Sequence, residues 1–336
     1  MKAISRYLSV LSTIVGLSLF AGLLYLTGTA TIVDQIRLLG LGFLFVIFYS
    51  GVRHYLRTIS WWLCLRTMQQ GVDLSDLFRI RLLGEAFHDM SPAGPVLGDT
   101  VKVLATSNRT SPESSAASLV VESLIYTLSV VLFLLSAAVP MLIGIAMPGR
   151  EQVFLGGLIA FVAFSTFVSF RIVNQRRLLL GWILDRLKES KLRLGFLERH
   201  DRRIRAFEKT IHDFFCGRRK LFFVILLIEV LTNLAGVGEA YFILNATGKH
   251  VSLLTAYFVE SANRMAQVIC AFVPFGLGVE EGSAAAALVA LGYGASAGVS
   301  LGIIRKIRTA FWVAVGLLLG TQGPVPRLAR QEAAQL

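Results

Sequence analysis

The sequence predicts an all-α, polytopic integral membrane protein with about eight hydrophobic segments. Composition, recurring long apolar runs and two similar proline-glycine interruptions carry that prediction. Of 336 residues, 55% are hydrophobic and 16% charged, and mean hydropathy is +0.67. A soluble domain carries roughly 25% charged residues. The interruptions, Ser91 to Asp99 and Val273 to Glu281, both read Pro-x-Gly and place an acid seven residues after the proline, Asp99 in one and Glu281 in the other. Broken backbone and carboxylates at bilayer depth are tolerated only where protein or a water-filled cavity satisfies them, so the two segments read as re-entrant hairpins forming a pseudo-repeat.

Taken in order, Met1 to Arg6 is short and basic and Leu8 to Leu26 apolar. That run is longer than a signal-peptide core and is read as the first transmembrane helix. Further spans are expected at 38–58, 116–145, 152–172, 221–245, 252–272, 280–294 and 297–320, of which 280–294 is short for a crossing. Residues 79–106 mix charges, prolines and glycines with apolar positions and form the first hairpin, with breaks at Pro92, Gly94 and Gly98. The broken helix 273–294 forms the second, with breaks at Pro274, Gly276 and Gly278. Residues 1–336 make one transmembrane domain: a first half over 1–172, a basic segment over 173–220 and a second half over 221–322.

Charge placement sets orientation. The net charge of +12 does not point to nucleic acid, because the basic residues lie beside apolar spans, as the positive-inside rule requires. Fifteen Lys and Arg between Arg171 and Lys220 place that segment in the cytoplasm, and Arg327 with Arg330 place the C-terminus there too. Leu180, Ile183, Leu184, Leu187 and Leu194 recur at helical spacing among those basic residues. The segment is either an amphipathic helix on the anionic inner leaflet or a solvated topogenic loop. The expected location is the inner (plasma) membrane.

The informative residues are charges left at depth: Glu85, Asp99 and Lys102 around the first break, Glu122, Glu229 and Glu239 in spans, and Glu260, Arg264, Glu280, Glu281, Arg305, Lys306 and Arg308 around the second. Each costs about 2.5–3.5 kcal/mol at a helix centre unless paired or hydrated. Glu260 and Arg264 are four apart and can pair, while Arg305 and Arg308 share a face that could meet Glu280 or Glu281. The same pairs could serve only to fix helix packing. The helix starting near Val279 aims its free amides into the cleft as an anion site.

Catalytic signals are weak. Glu85-Ala86-Phe87-His88 is a single E-x-x-H with no second copy for a di-iron bundle. His88 beside Asp89 lacks a nucleophile or metal, which favours a hydrogen-bonded structural histidine. Gly298-x-Ser300-x-Gly302 lacks the strand of a nucleophile elbow and reads as close helix packing, as do Gly278-x-x-x-Gly282 and Gly316-x-x-x-Gly320. The cysteines Cys64, Cys216 and Cys270 have neither zinc nor disulfide spacing. No cofactor or metal is expected.

The run Arg53-His54-Tyr55-Leu56-Arg57-Thr58-Ile59-Ser60-Trp61-Trp62-Leu63-Cys64-Leu65-Arg66, followed by Gly84-Glu85-Ala86 ahead of Pro92 and Gly98-Asp99, then Val121-Glu122, resembles the lysylphosphatidylglycerol synthase transmembrane-domain family of flippase-like proteins. Pro274-x-Gly276-Leu277-Gly278-Val279-Glu280-Glu281-Gly282 followed by Arg305 to Trp312 resembles it too. The resemblance implies a domain that moves lipids between leaflets, as in the multiple peptide resistance factors that expose lysyl-phosphatidylglycerol. It carries no aminoacyl transfer onto this chain. Gly84-Glu85-Ala86 is also similar to the hopanoid-associated branch, so phospholipid, aminoacyl-phospholipid, glycolipid and hopanoid cargoes stay open. Gly98-Asp99 departs from the Gly-Glu of many relatives.

The expected function is lipid translocation without chemistry, the headgroup entering a polar cleft between the hairpins. Arg264, Arg305 and Arg308 would meet phosphate, and Glu85, Asp99, Lys102, Glu122, Glu280 and Glu281 complete the headgroup-binding and translocation set. An intramembrane transferase or hydrolase using Asp99, His88 and Glu281, or a non-transporting partner of a lipid-synthesis enzyme, are the alternatives. Membrane lipids are the expected partners; a homodimer stays open.

Overall fold

The computed structural model describes residues 37–68, 71–91, 93–107, 109–144, 209–271 and 273–322. The described chain is helical, with no strand among the described residues. Among the described residues the longer α-helices run in order: α1 Gly42–Met68, α2 Leu74–Met90, α3 Gly94–Thr106, α4 Pro112–Gly144, α5 Arg219–Ala246, α6 Leu253–Ile269, α7 Val279–Ala290 and α8 Ala295–Gln322. Two of them are long and apolar enough to cross a membrane, Pro112–Ala137 of α4 and Arg219–Ala246, each with mean hydropathy 2.2. The spans expected at 8–26 and 152–172, Pro92, the C-terminal tail and all but the end of the 173–220 segment lie outside the described residues.

Local chemistry explains the helix ends. At α4, Pro112 supplies a preset φ, Ser111 Oγ accepts from Ser114 N–H at 3.2 Å, and Glu113 in the first turn opposes the helix dipole. Ser252 caps α6, its Oγ accepting from Thr255 N–H at 3.0 Å.

The two proline-glycine segments fold differently. The first is a short turn: Ser91 Oγ accepts from Ala93 N–H at 3.1 Å and Ser91 O from Gly94 N–H at 2.9 Å, after which α3 runs unbroken to Thr106. Gly98, expected as a break, therefore lies inside α3. There a Cβ would stand 2.7 Å from Gly84 O and 3.0 Å from His88 Cβ, so α2 and α3 cross on glycine. The second is a real break. Pro274–Gly276 form one 3₁₀ turn, and Phe275, Gly276 and Gly278 take φ of 54°, 55° and 75°. Glycine reaches that left-handed region freely; Phe275 is held there with its ring buried among Ala86, Met90, Ala310 and Val313.

The chain divides into two compact units. One holds the described residues of 1–54, 78–102 and 235–336; the other holds those of 55–77 and 103–234. In the first, α7 and α8 pack on small residues. A Cβ on Gly302 would meet Glu281 Cα at 2.8 Å, and Gly298 lies against the Ala284 and Ala285 backbone. Gly316 and Gly320 approach Leu82 and Leu83 of α2 just as closely. Those two motifs are packing motifs, as read from sequence. Gly278-x-x-x-Gly282 is not: Gly278 caps α7, and a Cβ on Gly282 would meet nothing within 4 Å. In the second unit Cys64, Ala117, Val121, Ile125, Ile211, Phe214 and Ile225 form the apolar core. Large apolar side chains such as Leu41, Phe48, Phe223 and Leu318 face outward, as lipid-facing positions do.

Candidate functional site

The first unit buries two carboxylates among four arginines. Glu260 of α6 accepts from Arg264 Nε, one turn further along the helix, at 2.9 Å and from Arg305 Nη2 of α8 at 2.6 Å. Arg305 Nη2 also donates to Gly236 O of α5 at 3.2 Å. Gly236 is needed for this approach, because a Cβ there would stand 2.9 Å from Glu260 Cδ and 3.3 Å from Arg264 Nη2. Three residues along α5, Glu239 accepts from Arg53 Nη1 of α1 at 2.7 Å and from Arg308 Nη1 of α8. Arg305 and Arg308 thus use one face of α8, as their spacing predicts, but they meet Glu260 and Glu239. The sequence expectation had sent them to Glu280 or Glu281.

These groups wall a cavity of about 270 Å³. Arg53, Arg264, Arg305 and Arg308 line it together with Glu85, Asp89, Glu260 and Glu280, the imidazoles of His54 and His88, and an apolar wall containing Phe275, Trp312 and Val313. Trp312 is fixed by its Nε1, which donates to Ser50 Oγ at 2.6 Å. Glu280 Oε1 accepts from Gln267 Nε2 at 2.7 Å. Glu85 accepts from Lys102 Nζ at 3.0 Å and has Arg81 at 3.8 Å. Asp89 makes no hydrogen bond or ion pair among the described residues, although it faces the cavity.

Of the residues singled out from sequence, Glu85, Arg264, Glu280, Arg305 and Arg308 line this cavity. Lys102 stands behind it, bound to Glu85 and, at 3.2 Å, to the partly exposed Asp99. Glu281 turns back on its own helix: its Oε2 accepts from Gly278 N–H at 3.1 Å and its Oε1 meets Lys306. The α7 N-terminus expected as an anion site is therefore capped in part by this chain's own carboxylate. Sequence reasoning left out Arg53, Asp89, Gln267 and Asn263, which also line the cavity. Arg53 had a usable signal, a charge inside an apolar run.

Glu122 belongs to the other unit. There it and Glu229, both buried, flank Arg57 of α1, at 3.5 Å and 3.9 Å. The Arg57 guanidinium lies 4.4 Å from the centre of the Tyr126 ring, a cation–π contact. Asn233 Nδ2 donates to Ser129 Oγ at 2.9 Å in the same unit.

Two apolar helices of spanning length, outward hydrophobic side chains and ion pairs turned inward fit an integral membrane protein with a polar interior. The chain belongs to the family of the lysylphosphatidylglycerol synthase TM region, whose model matches residues 12–317. That family is a membrane domain associated with lipid modification or transport. No curated protein and no solved structure matches the chain.

Proposed function

We propose that the protein is a lipid translocase whose first unit receives a polar headgroup while the acyl or polycyclic tail stays in the bilayer. The observation that carries this reading is the cavity lined by Arg53, Arg264, Arg305 and Arg308 in a chain of this family. Arginine presents a planar fork that matches phosphate oxygens in pairs. The volume of about 270 Å³ lies just below the roughly 300–1,000 Å³ of pockets that enclose a drug-sized ligand. It suits a headgroup rather than a whole lipid. A headgroup held there is desolvated by charged partners instead of hydrocarbon, which lowers the barrier to crossing without any bond being made.

Helix lengths support the re-entrant reading of both breaks. At 1.5 Å per residue the 17 residues of α2, the 13 of α3 and the 12 of α7 span about 26, 20 and 18 Å, short of a hydrocarbon core of about 30 Å. In this reading the protein sits in the inner membrane with the 171–220 segment and the C-terminus in the cytoplasm.

The test places purified protein in vesicles of a mixed lipid extract and follows leaflet position and lipid mass together. Leaflet exchange with unchanged masses, slowed by Arg305→Lys and Arg308→Lys in folded protein, is expected. New lipid species made by the parent chain would overturn the reading in favour of a lipid-modifying enzyme.

A further inference from the structure

We propose that a proton enters the cavity together with the headgroup, carried by Asp89, so that lipid movement is driven by the proton gradient. This rests on the reading that the cavity receives a lipid headgroup, and it adds the source of energy. Glu85, Asp89 and Glu280 line the cavity and are held differently. Glu85 accepts from Lys102 Nζ at 3.0 Å and has the buried Arg81 at 3.8 Å. Glu280 accepts from Gln267 Nε2 at 2.7 Å. Asp89 makes no hydrogen bond or ion pair among the described residues. A carboxyl group taken from water, without a donor or a cation in contact and near other carboxylates, favours its protonated form. Burial, and after it the charges of Glu85 and Glu280, push the Asp89 carboxyl up to about 8, with Arg308 and Lys102 acting the other way. Asp89 is thus a proton site within reach of neutral pH.

Arg308 joins the proton to the anion. Its guanidinium lines the same cavity and favours the ionised form of Asp89, and it is one of the groups proposed to meet phosphate. A phosphodiester seated there offsets the positive field that Arg308 casts on Asp89 and adds a negative charge of its own, so the proton is held more tightly. By reciprocity, a protonated Asp89 holds the phosphodiester more tightly by the same factor. The anion and the proton are neutral in sum, which lowers the cost of carrying charge across hydrocarbon. Arg53 and His54 of α1, His88 of α2, Glu260 and Arg264 of α6 and Arg305 of α8 face the same space. The arginines stay cationic at every pH of interest, and Glu260 is held between Arg264 and Arg305. The two imidazoles are therefore the competing proton sites.

The experiment adds glycerophosphoglycerol to the detergent-purified full chain in weakly buffered solution and follows the pH. The phosphodiester stays ionised throughout, so a proton taken up on binding goes to the protein. For a coupling of about tenfold, uptake should be about half a proton per headgroup bound near pH 8.5 and close to none near pH 6.5, where Asp89 already holds its proton. Thermal stabilisation should need about threefold less compound near pH 6.5 than near pH 8.5 on the same linkage. Asp89→Asn fixes the neutral form, so uptake should vanish and the two pH values should give equal stabilisation. Stabilisation without uptake by the parent near pH 8.5 overturns the proposal and leaves the headgroup site standing; that measurement needs no variant to fold. Uptake that persists in Asp89→Asn overturns the assignment to Asp89 and points to His54 or His88. No stabilisation at either pH refutes the headgroup reading, and the coupling with it. In vesicles, an imposed pH gradient should move acyl-labelled phosphatidylglycerol toward the alkaline side with the parent chain and not with Asp89→Asn. Leaflet exchange that ignores the gradient would refute the coupling and leave transport standing.

Discussion

Replacing Glu260 by Gln keeps the side-chain volume and removes the one carboxylate that Arg264 and Arg305 share. Glu260 and Arg305 have side chains 2% and 4% exposed and stand 2.6 Å apart. At that distance the Coulomb attraction is about 6 kcal/mol with an effective dielectric constant near 20, and it is slightly less for Arg264 at 2.9 Å. Desolvation offsets much of that gross attraction. The loss when one partner of a buried pair is removed is about 3–5 kcal/mol, because the other charge is left uncompensated. Arg305→Met in the parent leaves Glu260 still paired with Arg264, so it should cost less, about 1.5–3 kcal/mol for the lost charge-assisted hydrogen bonds. The decisive comparison is Arg305→Met made in Glu260→Gln. There the guanidinium it removes is already without its carboxylate, so the second substitution should be neutral or stabilising. Unfolding in detergent micelles, followed by loss of helicity, gives the four stabilities of the cycle. A second substitution that costs as much in the Glu260→Gln background as in the parent would refute the ion-pair account of this node.

Three further outcomes are expected. Gly98→Ala should destabilise the protein by about 1–3 kcal/mol, since the added Cβ would stand 2.7 Å from Gly84 O and force α2 and α3 apart; unchanged thermal stability would count against the close crossing. Gly278→Ala should cost about 1–2 kcal/mol, because φ of 75° suits glycine and not an L side chain, and the same unfolding measurement reads it. Cysteines placed at Ala93 and Ala271, both exposed beside the two breaks, should react with membrane-impermeant thiol reagents from one side only. Labelling of Ala93 from the side opposite the 171–220 segment would show that the first hairpin crosses fully.

Much of the site was legible because a membrane helix has few reasons to carry a charge. Glu85, Arg264, Glu280, Arg305 and Arg308 stood out as charges among apolar neighbours, and all five line the cavity. Their partners were not legible. Arg305 and Arg308 look toward the acids nearest in sequence, Glu280 and Glu281, but Lys306, about 100° round the helix from Arg305, takes Glu281. The two arginines instead reach α5 and α6, whose register against α8 no local pattern encodes. The similarity of the two proline-glycine segments also misled. Both carry Pro-x-Gly and a later acid, yet Gly98 serves a helix crossing where Gly278 serves a left-handed cap. Identical residue types answer different backbone demands, and only the neighbours decide which. Asp89 was hidden because it adjoins His88, which invited an acid-base reading of the pair instead of a question about what else each faces.

What separates a charge that holds helices together from one that awaits a ligand is where its compensation comes from. Glu239 lies buried between Arg53 and Arg308, and Glu260 between Arg264 and Arg305, so for these carboxylates the protein itself replaces water. Each of these carboxylates is shared by two arginines. Each pair holds two guanidinium groups in place at the wall of the cavity. In the proposed headgroup role, structural and binding roles are therefore not alternatives for Arg305 or Arg308. If the cavity receives an anionic headgroup, as proposed, the carboxylate that fixes the guanidinium in position limits the entropy lost when the anion arrives. On this argument Arg305→Lys is more damaging to binding than to folding. A lysine ammonium can still neutralise Glu260, but it lacks the planar fork that reaches Glu260, Gly236 O and a ligand oxygen together.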